Sequence, residues 1–360
     1  MSSLGIHEKQ FPDERPSTES RKASHVALVV RERVEHRSKH AGFDDFDFEH
    51  NALPELDFAS ISTESDFLGF RVSAPIIISS MTGGYAGAYD INRALGTAAA
   101  KFGIPIGVGS GRQALESSEQ HRTFSVVREA APKAFIFGNI GAAEVARLHR
   151  GSRISDLQRL VDLLEANALA IHLNPLQELL QPEGSRDFRG VLAAIEASVA
   201  TLGVPIIVKE VGAGISGEVA RKLLDVGVRA IDVAGAGGTS WAGVEILRND
   251  ESGREAIEPF WDWGIPTVEA LRQVALLHDG YRFELVASGG IRSGVDIAKA
   301  LVMGATAAGV ARPFIQAFME GGETALFSAV ETLLFQLRAV MFLTGSPDIP
   351  ALKGQVLRQS

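Results

Sequence analysis

Eight short apolar runs, spaced along the chain and each followed by a helical stretch, constrain this sequence more tightly than any other feature. They are Ala74–Ser80, Ile104–Ser110, Ala134–Gly141, Ala168–Leu173, Val204–Gly212, Arg229–Gly238, Glu284–Ile291 and Ala307–Arg312. Each is rich in small or β-branched residues and reads as a strand buried on both faces. Amphipathic segments such as Asn92–Phe102, Ser216–Asp225 and Gly294–Met303 lie between them. Strand–helix alternation means parallel pairing through right-handed crossovers, and eight strands close a barrel. The competing architecture, an open doubly wound sheet, carries a dinucleotide fingerprint at its first strand–helix turn. Gly83 and Gly84 lack that spacing. The pattern therefore predicts an α/β fold, a TIM (β/α)8 barrel over residues 74–345. A polar, mobile leader over 1–19 and an N-terminal arm and excursion over 20–73 precede it. An amphipathic helix at Phe327–Leu343 closes it, and a tail follows over 346–360.

Composition narrows the function classes. A formal net charge of −9 over 360 residues argues against a nucleic-acid surface. No apolar run reads as long and uninterrupted enough to span a bilayer, and the N-terminus has no apolar signal core. A cytoplasmic protein without nucleic-acid or membrane partners is expected. With no cysteine, disulfides, thiolate nucleophiles and cysteine metal sites are excluded. The segment Val244–Pro266 is long for a barrel connection and reads as a lid or a subunit contact. Its aromatics Phe260, Trp261 and Trp263 favour a contact.

Barrels of this kind keep their chemistry at the C-terminal ends of the strands. Here the strand beginnings carry Pro75, Pro105 and Pro205, whereas the ends carry polar residues and glycines. The stretch HLNPLQE sets His172, Asn174, Gln177 and Glu178 just past a strand that Pro175 terminates. It also reads as a plain helix start, with Asn174 as N-cap and Glu178 as a first-turn acid. On the arm, Arg21, Lys22 and His25 form either a solvated basic face or a set of donors for a phosphorylated ligand. Gly289 and Gly290, ahead of a helix starting near Val295, make either a tight turn or a close backbone approach to a phosphate. Lys209, alone at the end of an apolar strand, needs an anion to be buried. Glu210, another carboxylate or a bound ligand could supply it.

The run SGGIRSGVDIAKALVMGATAAGVARP from Ser288 resembles the phosphate end of FMN-dependent barrel enzymes. Hydroxyacid oxidases of this fold place a His followed by Gly-Gly-Arg after strand six, where this chain reads DVAGAGGTSWAGVE from Asp232; the related nucleotide dehydrogenases use a cysteine. A second set of motifs comprises SRKASH from Ser20, SSMTGG from Ser79, VGSGR from Val108, HLNPLQE from His172, VKEVGAGIS from Val208, AGAGGTSW from Ala234 and SGGIRSG from Ser288. With the C-terminal LTGSPDIPALK, these resemble the type 2 isopentenyl-diphosphate isomerases over nearly the whole chain. The resemblance implies interconversion of isopentenyl and dimethylallyl diphosphate, with reduced FMN as acid–base catalyst and NADPH or another reductant supplying electrons. It also implies Mg²⁺ joining Glu178 to the diphosphate and a homotetramer or homo-octamer. The implied flavin site comprises Ser80, Met81, Thr82, Ser110, Asn139, Lys209, Thr239, Gly289, Gly290, Ile291, Ala311 and Arg312. Arg21, Lys22, His25, Ser110 and Arg112 would clamp the diphosphate. Gln177 would relay a proton at the hydrocarbon end, while His172 and Asn174 orient the diphosphate or the metal unit. Trp241 either walls the isoprenyl pocket or is a core aromatic. Two other readings stand beside this one: an FMN-dependent oxidoreductase of a small hydroxy acid, and a non-catalytic phosphate-binding barrel.

Overall fold

In the computed structural model, which describes residues 18–249 and 251–360, all eight runs become strands. They are β1 (Ile76–Ile78), β2 (Ile106–Gly107), β3 (Ile136–Gly141), β4 (Ala168–His172), β5 (Ile206–Lys209), β6 (Ala230–Asp232), β7 (Glu284–Ser288) and β8 (Ala307–Val310). Every neighbouring pair is parallel, and β8 bonds back to β1, so the barrel is closed. Side chains alternate in and out along each strand, because the strand period is two. Ile76 and Ile78 join the layer under the surrounding helices. Ile77 joins the barrel interior with Phe137, Ala170, Ile207 and Val286.

The excursion ahead of β1 has a structural task that sequence periodicity did not reveal. Ser65–Phe67 and Phe70–Val72 pair as an antiparallel hairpin. Its Phe67, 1% exposed, belongs to the interior cluster and meets Phe135 edge-on at 5.3 Å. The hairpin therefore stoppers the N-terminal end of the barrel. Residues 346–360 are likewise structured, with Leu357–Gln359 pairing antiparallel to Phe46–Phe48.

Five helices bear on the mouth of the barrel and its closure: α1 (Thr18–Arg31), α2 (Pro175–Leu180), α3 (Trp241–Arg248), α4 (Gly294–Val302) and α5 (Arg312–Leu343). The expected leader over 1–19 falls, as far as residue 17, outside the described residues. The closing helix expected at Phe327–Leu343 is the second half of α5, which bends at Gly321 and Gly322, where φ reaches +66°. By length and composition alone α5 passes for a bilayer-crossing helix, but the glycine pair interrupts it and Glu320, Glu323, Glu331 and Arg338 lie along it. It packs against α4 through buried Leu333 and Leu337. Residues 244–266 are mostly ordered into α3, a second short helix and a turn. Of their aromatics, Trp261 is buried at 4% exposure and only Trp263, at 60%, is open. The aromatic cluster expected to mark a contact surface is therefore largely internal. Trp261 donates its indole N–H to the Glu35 carbonyl at 2.9 Å.

Candidate active site

A cavity of about 470 Å³ opens at the C-terminal ends of the strands, beneath α1. That volume lies in the range of small-molecule sites. Every site residue singled out in the sequence lines it, from Arg21 on the arm to Arg312 at the start of α5. Strand register explains part of this convergence. Gly141, His172, Lys209 and Asp232 lie in one row across β3, β4, β5 and β6, so an imidazole, an ammonium and a carboxylate meet at the mouth.

At the floor, Lys209 donates to the carbonyl of Glu210 at 2.5 Å. The Glu210 carboxylate turns away and accepts the N–H groups of Val211, Gly212 and Ala213 at 2.6, 2.8 and 2.6 Å. The stronger counter-charge to Lys209 is Asp232, which accepts the Ser288 hydroxyl at 2.6 Å and the Ala234 N–H at 3.2 Å. Burial pushes both carboxyls up and the ammonium down, and their mutual attraction opposes each shift. The simple Lys209–Glu210 side-chain pair is thus replaced by a three-charge cluster.

Next to it, His172 Nδ1 lies 2.9 Å from the Asn139 amide oxygen, which can only accept, so Nδ1 carries the proton. Burial, then repulsion from Lys209 and Lys22, lowers its pKa to about 3. His172 is a neutral hydrogen-bonding group with Nε2 as acceptor. Asn174 does sit at the N-cap position of α2, but it makes no capping bond. Its amide instead donates to Gln177 Oε1 and Glu178 Oε1, both at 3.1 Å. Glu178 Oε2 also accepts the Ser185 N–H at 2.5 Å. The plain helix-start reading accounts for the backbone and not for these side chains.

Gln177 donates onward to Glu245 Oε1 at 3.2 Å. That carboxylate, fully buried on α3, also meets His25 Nε2 at 2.9 Å and Arg248 at 2.5 Å. Burial raises the Glu245 carboxyl, but His25, Arg248 and Gln177 together hold it below its usual value. Arg248 continues to Glu183 at 2.9 Å, and Glu183 to Arg21 at 3.8 Å. Glu245, Arg248 and Glu183 were not singled out in the sequence. The spacing of Trp241 and Glu245, four residues apart on one helix face, was the available signal. Trp241 lines the cavity and meets His25 edge-on at 5.3 Å, so it is a wall and not a core residue.

On the arm, Lys22 Nζ donates to the carbonyls of Gly83 at 2.6 Å and Ser110 at 3.1 Å. A Cβ on Gly84 would lie 2.7 Å from that nitrogen, so the close approach depends on glycine. Burial, reinforced by Arg21 and Arg112, lowers the Lys22 pKa to about 7. The unfolded amine binds protons that the folded one does not between pH 7 and 10.5, so docking of this lysine gains stability as pH rises through that window.

At strands seven and eight, Gly289 and Gly290 adopt φ of +94° and +78°. A Cβ on Gly238 would come within 2.4 Å of the Gly290 nitrogen. At the N-terminus of α4 the first-turn N–H groups already have side-chain partners. Ser293 and Asp296 form a capping box, and Gln336 takes the Gly294 N–H at 2.7 Å. The glycine turn and the solvent-exposed Arg292 remain, the latter reaching only the Ile291 carbonyl at 3.4 Å among the described residues. Arg312, expected at a cofactor phosphate, spends its guanidinium on the N-terminal arm instead. It donates to the Val29 and Glu32 carbonyls, each at 2.8 Å, and pairs with Glu35.

The donor set suits a flavin. Ser79 and Ser80 place buried hydroxyls with no described partner at the cavity floor. Isoalloxazine heteroatoms require such donors and acceptors, and the Lys209 ammonium lines the same cavity, where it would face a ring system that becomes anionic on reduction. For a divalent cation, no cluster of three or more His, Asp or Glu side chains exists among the described residues. Glu178 is one of the carboxylates lining the cavity, with Glu144 and Glu183, and a hard cation held by one of them would need a ligand's phosphates to supply further oxygens.

Comparison with known proteins agrees with this chemistry. The FMN-dependent dehydrogenase family matches residues 17–135 and 183–359. A Chlorobium limicola protein named isopentenyl-diphosphate delta-isomerase is 49% identical, over 92% of this chain and 94% of its own. One of the same name from Methanosarcina barkeri is 45% identical, over 94% and 91%. Among solved structures, a flavocytochrome b2 variant with sulfite bound superposes with a TM-score of 0.69 at 21% identity, covering 93% of this chain and 83% of that one. That likeness concerns the fold.

Proposed function

Since the chain belongs to the isopentenyl-diphosphate delta-isomerases that share the FMN-dependent dehydrogenase barrel, we propose that it shifts the double bond of isopentenyl diphosphate by one proton addition and one removal, on reduced FMN and with Mg²⁺ on the diphosphate. The observation that carries this reading is the run Asn174–Gln177–Glu245–His25, which presents Asn174, Gln177 and His25 to the cavity that Arg21 and Lys22 also line.

An unactivated alkene is a weak base and its allylic C–H a weak acid, so the reaction needs precise placement and a stabilised tertiary carbocation. When bound, reduced FMN supplies an electron-rich face and a proton-bearing ring nitrogen. Ser79, Ser80 and Thr239 would hydrogen-bond its ring, with Lys209 balancing its charge. The Gly289–Gly290 turn and Arg292 would hold its phosphate. Arg21, Lys22 and Arg112 would hold the substrate diphosphate, and Glu178 would contribute the protein ligand to Mg²⁺. Gln177 can pass a proton only by accepting at Oε1 and releasing from Nε2, and Glu245 is the acceptor already waiting at Nε2. Trp241 would exclude water from the isoprenyl side. The oxidoreductase alternative lacks its proton acceptor, because the loop after β6 carries no histidine.

The test is anaerobic incubation in deuterated water with FMN, a reductant, Mg²⁺ and isopentenyl diphosphate, followed by proton NMR. Deuterated dimethylallyl diphosphate should appear only with reduced flavin, and the Mg²⁺ dependence should shift to higher concentration in Glu178→Gln. Flavin-loaded protein that converts nothing would overturn the assignment.

Lys22 gives a pH prediction. A diphosphate on its ammonium favours the protonated form, so above pH about 7 binding takes up a proton and the substrate Kd weakens by about tenfold per pH unit. Calorimetry in buffers of differing ionisation enthalpy should detect that uptake, and Lys22→Met should remove it. Proton uptake equal in both proteins would place the substrate elsewhere.

A further inference from the structure

We infer that Arg312 is the anchor of the substrate-binding arm, a positioning residue for the diphosphate clamp and not a direct ligand of the cofactor phosphate. This rests on the isomerase reading for the identity of the substrate, and on the geometry alone for the anchor.

Helix α1 carries Arg21, Lys22 and His25 over the cavity, and its N-terminal half contributes Lys22 to the carbonyls of Gly83 and Ser110. What fixes its other end is the first turn of α5. Arg312 Nε donates to the Val29 carbonyl and Nη2 to that of Glu32, each at 2.8 Å, while Nη1 pairs with Glu35. One turn further along α5, Gln316 donates to the Val30 carbonyl at 3.4 Å. The last carbonyls of a helix have no partner within it and carry the negative end of its dipole. A guanidinium there meets both needs, with five N–H groups in a rigid fork. Arg312 is itself 8% exposed, so its charge is compensated by the arm and not by water. Beyond Glu35, the chain stays attached at His36, whose backbone N–H donates to the Gly238 carbonyl at 3.0 Å. The hinge of the arm is therefore the short stretch from Val29 to Glu35, where Arg312 makes three of the contacts and Gln316, Ser240 and Trp261 hold the Val30, Val34 and Glu35 carbonyls.

Arg312 also lines the same cavity wall as Gly289, Gly290 and Arg292. Those groups hold no part of α1 and remain for the cofactor phosphate. The two ligands are thus served by different groups at the strand-seven and strand-eight end: the glycine turn and Arg292 for the flavin, Arg312 acting through α1 for the diphosphate.

The experiment compares wild-type holoenzyme with Arg312→Ala, Arg312→Lys and the double change Glu35→Gln, Gln316→Ala. Amide hydrogen exchange over residues 18–31 is read without substrate, FMN affinity by fluorescence quenching, and KM and kcat separately. Losing several charge-assisted bonds from one helix end should accelerate exchange in that segment by about tenfold or more. In Arg312→Ala, KM for isopentenyl diphosphate should rise by about the same factor, because the clamp must be ordered on binding. The kcat at saturation and the FMN Kd should each stay within about threefold. Arg312→Lys, which keeps the charge but not the fork, should recover part of the protection. The double variant leaves Arg312 in place and should loosen the arm without touching the cofactor, which keeps the inference testable if Arg312→Ala fails to fold. Unchanged exchange over 18–31 in Arg312→Ala, or an FMN Kd that rises by about tenfold or more with exchange unchanged, overturns it. Exchange in the absence of substrate does not depend on the reaction, so a wild-type protein without isomerase activity would sink the function and leave the anchor standing.

Discussion

Gln177→Ala is expected to lower kcat for isomerisation by about 10² to 10⁴, the range that a positioned proton-transfer group contributes, while FMN remains bound with unchanged affinity. The carboxamide is held at both ends, accepting from Asn174 at 3.1 Å and donating to Glu245 at 3.2 Å. That arrangement orients the carboxamide and fixes which atom can accept and which release. Truncation also strands the amide of Asn174 and one oxygen of Glu245, although Glu178, His25 and Arg248 retain their own contacts with them. The fold should therefore survive. Rapid-quench turnover together with a flavin titration separates the outcomes. Turnover within about threefold of wild type would remove Gln177 from the proton path.

Lys209→Met should cost both the fold and the cofactor. The ammonium is the cation that offsets Asp232 and, more weakly, Glu210 in a buried cluster. Deleting one partner of a buried charge set leaves the others uncompensated, a loss of about 3–5 kcal/mol. Asp232 retains only Ser288 and the Ala234 N–H, whereas Glu210 keeps three backbone donors and should stay ionised. Chemical denaturation should show the loss, and the reduction potential of bound FMN should fall because the anionic reduced form loses its cation. A companion Lys209→Met, Asp232→Asn protein should recover much of the stability while leaving the potential low. If the single variant keeps wild-type stability and potential, the cluster carries neither role.

The barrel was legible because parallel strands buried on both faces must be continuous apolar runs, and there are eight. The site residues at strand ends were legible for the same reason: polar groups abutting such runs have little else to do. Relations between distant segments were not. Nothing local in Phe67 says that it enters the barrel from below, and nothing in Arg312 says that it grips carbonyls some 280 positions earlier. The Ser293–Asp296 capping box is readable from its spacing, whereas the glycines before it leave a tight turn and a phosphate approach equally open. Glu245 escaped notice since a carboxylate in an apolar helix looks like a surface residue until its partners, His25 and Gln177, arrive from elsewhere.

Below the cavity the barrel interior is packed by Ile77, Phe137, Ala170, Ile207 and Val286, with Phe67 of the hairpin against the same cluster, so the chamber is a blind well. Reactant and product then share one doorway, roofed by α1, and each must leave before the other can enter. Because the two diphosphates differ only in the position of a double bond, cations that hold one would hold the other. The product should compete with the substrate for free enzyme, and traffic through the doorway should slow as solvent viscosity rises.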